Sequence, residues 1–206
     1  MIKQTIYCVL LTVALGQTGC GPLKLEAGVE PKTYSMDGVK LISTKINNGR
    51  DSSTYTQGSY TIAPDRHLLL RFESFSSHVG QVSLANGNKV QVQIALVPTV
   101  LAADAQAALQ LCPLTSNWMM LATWNNPYPD GQWSNAGGDY DQSSCVKADP
   151  PASADSKILF FNMTQWFKDY PQGRGINNGL ILISSAEIAV IGDTNGSNSP
   201  RILWQE

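Results

Sequence analysis

Val90-Gln91-Val92-Gln93-Ile94-Ala95-Leu96 alternates without a break, with Val90, Val92, Ile94 and Leu96 on one side and the glutamines and alanine on the other. A period of two sustained over such a run marks a strand with one face on a core and one toward water. Just before it, residues 82–84 and the turn Asn86-Gly87-Asn88 supply a hairpin partner, since Asn-Gly provides the positive φ of a type I′ turn. His67-Leu68-Leu69-Leu70-Arg71-Phe72-Glu73 is the strongest apolar run of the first half. Its alternation sets His67, Leu69, Arg71 and Glu73 opposite Leu68, Leu70 and Phe72, a polar face backing an apolar one. Further short runs at 39–43, 59–63, 157–161, 180–183, 187–191 and 201–204 are separated by Asn, Gly, Asp and Pro. Only residues 102–109 favour a helix before the second half of the chain. Many short strands with polar turns and almost no helix predict an all-β fold. The expected form is a two-sheet antiparallel β-sandwich, jelly-roll-like, with one or two short helices. No fixed-period repeat supports a solenoid or propeller.

Composition agrees. Hydrophobic residues make up 43% of 206, enough to fill the core of one sandwich domain. Charged residues reach only 15%, while Gly, Ser, Asn, Gln and Thr are plentiful, which suits an extracytoplasmic β protein rich in turns. A net charge of -2 without a basic stripe argues against nucleic acid as a partner.

Met1-Ile2-Lys3 is a short positive start, and residues 5–16 form an apolar run of signal-peptide length, too short to span a bilayer. The run ends in Gln17-Thr18-Gly19-Cys20, which resembles a lipobox, where signal peptidase cuts before a diacylated cysteine. Gln17 stands where Leu is usual. Two other readings therefore stay open: cleavage after Ala14-Leu15-Gly16, or an uncleaved apolar anchor. The expected organisation is a lipoprotein leader over residues 1–19, a lipidated N-terminus and tether over 20–36, and the sandwich over 37–206. Lipid on Cys20 would hold the protein at the outer membrane or cell surface.

The remaining cysteines are easily assigned. Cys8 leaves with the leader and Cys20 carries lipid, so Cys112 and Cys145 remain, 33 residues apart. In an oxidising compartment such a pair is most simply a disulfide. A metal site would need more Cys or His nearby, and His67 and His78 lie far upstream.

Several local patterns then occur in a familiar order. They are Leu69-Leu70-Arg71-Phe72; Trp118 with Ala122-Thr123-Trp124-Asn125-Asn126-Pro127; and Trp133 with Gly137-Gly138-Asp139-Tyr140-Asp141. Phe160-Phe161-Asn162-Met163-Thr164-Gln165-Trp166, Gly179-Leu180-Ile181-Leu182 and Ser199-Pro200-Arg201-Ile202-Leu203 follow. In this order, over roughly residues 37–205, the chain resembles the extracellular β-sandwich domains called DNRLRE domains. A related set is the carbohydrate-binding modules of the alginate-binding type. The resemblance implies a sandwich, a short helix after the Phe160-Phe161 strand, and a glycan ligand.

Five tryptophans can serve as sugar-stacking platforms or as core, and burial is the commoner use of so large a ring. Trp124 and Trp166 fit core positions by pattern. Trp133 sits among Gly, Asn and Asp with Tyr128 and Tyr140, and either an exposed platform or a lid on the sandwich end fits it. Asp139 and Asp141, near Asn125, Asn126 and Asp130, offer oxygens of the kind Ca²⁺ takes, although Asp and Asn are also ordinary turn residues. Residues 193–198 fit a solvated loop, and His67 and His78 fit surface positions.

No nucleophile or paired-acid motif announces catalysis, so the expectation is a binder and not an enzyme. The disulfide-closed segment is the longest stretch without strand character, and scaffolded loops commonly carry recognition. The expected ligand surface uses Trp133, Tyr140 and Tyr128 as stacking faces, with Asp139 and Asp141 as hydrogen-bonding or calcium groups. The expected partner is a polysaccharide, with a surface protein as the alternative, and no cofactor beyond structural calcium. The anchoring is directly testable. Cys20→Ala is expected to move the protein from the membrane fraction to the soluble fraction, and unchanged detergent partitioning would refute lipidation.

Overall fold

The computed structural model describes residues 33–35, 40–48, 54–55, 58–73, 89–169, 177–192 and 198–205. The leader, Cys20 and the tether lie outside these residues, as do the hairpin partner expected at 82–88, His78 and most of the 193–198 loop. The elements are β1 (Thr33–Ser35), β2 (Lys40–Asn47), β3 (Thr54–Tyr55), β4 (Ser59–Ile62), β5 (Arg66–Glu73), β6 (Lys89–Leu96) and α1 (Ala102–Ala108). They continue with β7 (Leu109–Pro113), β8 (Val146–Lys147), β9 (Ile158–Asn162), α2 (Thr164–Asp169), β10 (Leu180–Ser184), β11 (Ile188–Ile191) and β12 (Arg201–Gln205).

Two antiparallel sheets of six strands each form a sandwich. The first runs β1-β12-β6-β11-β4 with β9 also on β6, and the second runs β3-β2-β5-β10-β7-β8. β6 organises the first sheet. β9 lies along one of its edges, from Gln91–Asn162 to Ala95–Ile158. Its other edge is shared, with β12 opposite Lys89 to Gln93 and β11 opposite Ala95 and Leu96. Val90, Val92, Ile94 and Leu96 all enter the core between the sheets, as their alternation requires. The other face of β6 is less wet than that alternation predicts. Gln93 and Ala95 are buried, and the Gln91 amide donates to Asp149 Oδ2 at 2.8 Å, from a segment running beside β9.

The second sheet contributes Leu68, Leu70 and Phe72 of β5 and Leu180 and Leu182 of β10 to the same core. α1 buries Ala102, Ala105 and Ala108, whose small side chains let the helix lie close before the chain enters β7.

The outer face of this sheet departs from the polar surface expected for β5. Leu69 is fully buried and His67 is 8% exposed. The register places Thr44 opposite Leu69 and Ile46 opposite His67, so these residues share that face. β10 adds Ile181, and β7 adds Cys112. The result is a second apolar cluster outside the sandwich, covered by residues 114–141 as a third layer. Trp118, Ala122, Trp124 and Trp133 point down into it. β2 is correspondingly longer than the 39–43 run suggested, because Thr44 and Ile46 are held under the layer.

Polar contacts fasten the layer. The Trp118 indole N–H donates to Asn178 O at 2.7 Å, and Arg71 Nη1 donates to Trp118 O at 2.7 Å with its guanidinium 4.9 Å from the Trp118 ring centroid. Thr44 Oγ1 donates to Met120 O at 2.9 Å. Gly137 and Gly138 adopt φ of 92° and 114°, values that favour glycine. A Cβ on Gly137 would stand 2.8 Å from the Trp124 ring.

Cys112 and Cys145 are disulfide-bonded, closing the layer at its base. The adjoining Leu111–Val146 pairing of β7 with β8 holds both ends in register. Replacing both cysteines by Ser is expected to lower unfolding stability by about 2–4 kcal/mol on the loop-closure argument. Denaturant melts of oxidised protein and variant check this, and coincident midpoints would contradict it.

Candidate functional site

A cleft of about 600 Å³ opens beside the disulfide. One wall is Pro113 to Thr115 at the end of β7. A second is Asp141 and residues 143–146, and a third is α2 with the preceding Asn162 and Met163. Asn178 completes the lining.

α2 is placed by its own sequence. Asn162 Oδ1 accepts from the Thr164 hydroxyl at 2.7 Å and the Thr164 N–H at 3.1 Å, which starts the helix. Thr164 Oγ1 accepts from the Val90 N–H at 2.9 Å, tying that start to β6. Met163 and Phe167, four residues apart, fall on one side and are buried. Trp166 lies off that stripe and is only half-buried, leaving part of its indole in the cleft lining. Gln165 is exposed, and its amide donates to Asp169 Oδ1 at 3.1 Å.

Asp141 caps the short 3-10 turn Gln142–Ser144. Its carboxylate accepts from the hydroxyls of Ser143 and Ser144, each at 2.6 Å, and from the Ser143 N–H at 3.0 Å. These hydroxyls hold Asp141 below its ordinary pKa.

Of the residues singled out in the sequence, Asp141 and Cys145 line this cleft and the others do not. Trp133 is 5% exposed, with its indole N–H donating to Thr123 O at 2.9 Å. It belongs to the cluster under the third layer, so its ring has no free face for a sugar. The arrangement is the lid and not the platform, laid on the outer sheet face and not the sandwich end. Tyr140 packs partly buried against the same cluster. Tyr128 is exposed at the far tip, its ring lying over Gly131.

Asp139 is buried and fully engaged. It accepts from the Ser134 N–H at 2.9 Å, the Asn135 N–H at 2.8 Å and the Ser116 hydroxyl at 3.0 Å, joining the two arms of the layer. Burial pushes its pKa up, but these bonds outweigh burial and hold it below its ordinary value. Both carboxylates thus serve donors of their own turns, and among the described residues no group of three or more His, Cys, Asp or Glu gathers. The Asp139–Asp141 pair does not fit a calcium site, which takes six to eight oxygens.

His67 is the other correction. It is buried, not on the surface, with its ring centroid 4.8 Å from that of Trp124 and Nδ1–H donating to Gly137 O at 2.9 Å.

Trp166, Gln165, Asp169 and Asn178 had no site role in the sequence reading. The available signal was the spacing of Met163 and Phe167, which leaves Trp166 outside the buried stripe. Comparison with known proteins matched no family model and no curated protein.

His67 makes stability depend on pH. Desolvation pushes its pKa below the ordinary 6.5, against the opposing pull of the Gly137 and Pro64 carbonyls and the Asp65 charge. The unfolded chain therefore binds a proton that the folded one refuses. Stability is complete above 6.5 and falls as pH drops from there toward the folded-state value. His67→Gln is expected to flatten this part of the stability–pH curve. An unchanged slope in urea melts across the window would remove His67 as the cause.

Proposed function

We propose that this chain is a glycan-binding module of an exported lipoprotein, held at the cell surface through Cys20, and that sugar enters the cleft beside the disulfide. The observation that carries this reading is the pairing of a half-exposed indole, Trp166, with the hydrogen-bonding side chains of Gln165, Asp169, Asp141 and Asn178 in one cleft of about 600 Å³. Sugar rings have apolar faces that suit an aromatic plane and hydroxyls that need fixed polar partners. The DNRLRE-type resemblance supports the same ligand class, and the reading assigns binding without catalysis.

The disulfide supports the proposal energetically. Cys145 lines the cleft, and its bond to Cys112 fixes the Asp141 turn before ligand arrives, reducing the ordering cost of binding.

A second reading has its own observation. At the tip of the third layer Met119, Met120 and Leu121 are 56%, 37% and 61% exposed, and Met119 N–H donates to Pro127 O, bringing Tyr128 to the same tip. Exposed adjacent apolar side chains are typical of protein contacts, and they suit an adhesion or structural subunit that binds another protein.

The two readings separate by mutation. Trp166→Ala and Gln165→Ala are expected to weaken retention on a polysaccharide affinity gel, the former by about tenfold, which is about 1.4 kcal/mol. Gln165→Ala should leave the melting temperature unchanged, since the residue is exposed. Retention altered only by Met119→Ser with Leu121→Ser would transfer the proposal to the protein-binding tip.

A further inference from the structure

We infer that the cleft selects an amine-bearing glycan, one with unacetylated amino-sugar units, over the uronate chains that an alginate-type ligand would present. The inference rests on the glycan-binding reading above and gives that ligand a chemical class.

Hydrogen-bond chemistry is the first ground. The nearby donors are largely consumed by the protein itself. The Ser143 and Ser144 hydroxyls donate to Asp141, and the Gln165 amide donates to Asp169. What remains is rich in acceptors. Asn178 Oδ1 is buried without a hydrogen-bond partner, although the Asn178 backbone carbonyl is used by Trp118. A buried acceptor with no donor is costly, and a ligand donor reaching it removes that cost.

Charge is the second ground. Among the described residues that line the cleft, Asp141 and Asp169 are acidic and none is Lys, Arg or His. A uronate carboxylate entering there would meet like charge in a partly desolvated space. A protonated amine brings three donors and a positive charge to the same acceptors. The Trp166 indole adds to the preference, because an aromatic face attracts cations. The low pKa of Asp141 keeps its charge at the acidic pH where sugar amines are fully protonated.

The test titrates the full chain in detergent with three hexamers: glucosamine, N-acetylglucosamine and mannuronate. All are measured at a mildly acidic pH that keeps the amine charged. The glucosamine hexamer is expected to bind at least about tenfold tighter than either of the others, with the preference shrinking as salt rises. Asp169→Asn should reduce that preference severalfold at an unchanged melting temperature, and Asp141→Asn should act in the same direction. Because Asp141 also caps a turn, Asp169→Asn carries the decision.

If the acetylated or mannuronate hexamer binds as tightly, and Trp166→Ala still abolishes binding, the cleft takes glycan but the amine assignment is overturned. Hexalysine competing as well as the glucosamine hexamer would overturn the sugar assignment and point to a basic peptide. If no hexamer binds, the glycan-binding reading falls together with the inference.

Discussion

Leu69, Ile181 and Cys112 project from three neighbouring strands to the outside of the sandwich, and none can be left in water at acceptable cost. Burying them requires a cover as wide as the sheet. Residues 114–141 supply it with Trp118, Trp124 and Trp133, large rings that each remove much area from solvent. A covering segment with little regular structure must place its own polar groups, which explains the density of specific bonds within it. Asp139 joins its arms, His67 reaches Gly137, and Arg71 holds the Trp118 carbonyl. The close glycine pair follows from the same demand. Gly138 runs 3.0 Å, measured from an added Cβ, above Ile181, leaving no room for a side chain.

The cleft is a by-product of that cover's boundary. The layer ends at Asp141, the chain returns through Cys145 to β8, and α2 faces that return across a gap. The disulfide is thus shared by two tasks: it closes the cover, and it sets the position of one cleft wall. Residues for recognition and for stability are kept apart. Trp118 and Trp133 are spent on burial, while Trp166, on a helix whose other side holds Phe167 in the core, reaches the opening.

The fold was legible where a single period governed a strand. Val90 to Leu96 placed its inner face correctly, and the strand–helix pattern around Phe160 to Trp166 is present as β9 and α2. The third layer was less legible, although Leu68-Leu69-Leu70 and Leu180-Ile181-Leu182-Ile183 are apolar on both sides, a mark of strands covered on both faces. Arg71 and Glu73 obscured it, because polar residues at a sheet margin look like a wet face. Trp133 misled differently. Gly, Asn and Asp around an aromatic suggest an exposed loop, yet here they are the turn residues that let the chain fold back and press the ring down. The cleft could not be read at all, since its walls come from four separated stretches and no local pattern joins Asp141 to Asp169.

β6 completes its pairing only with strands that follow it by some sixty residues or more: β9, β11 and β12. A chain emerging N-terminus first from a translocation channel would therefore carry this apolar ribbon unpaired until almost the last segment had arrived. Such an edge invites pairing with other chains, and topology of this kind folds slowly. The Val-Gln-Val-Gln pattern moderates that risk, since glutamines on alternate positions keep the waiting strand from being apolar on both sides. Premature termination anywhere before β12 would leave part of one β6 edge bare, so quality control during export has a defined structure to act on: an unfilled strand slot in an otherwise partly assembled sheet.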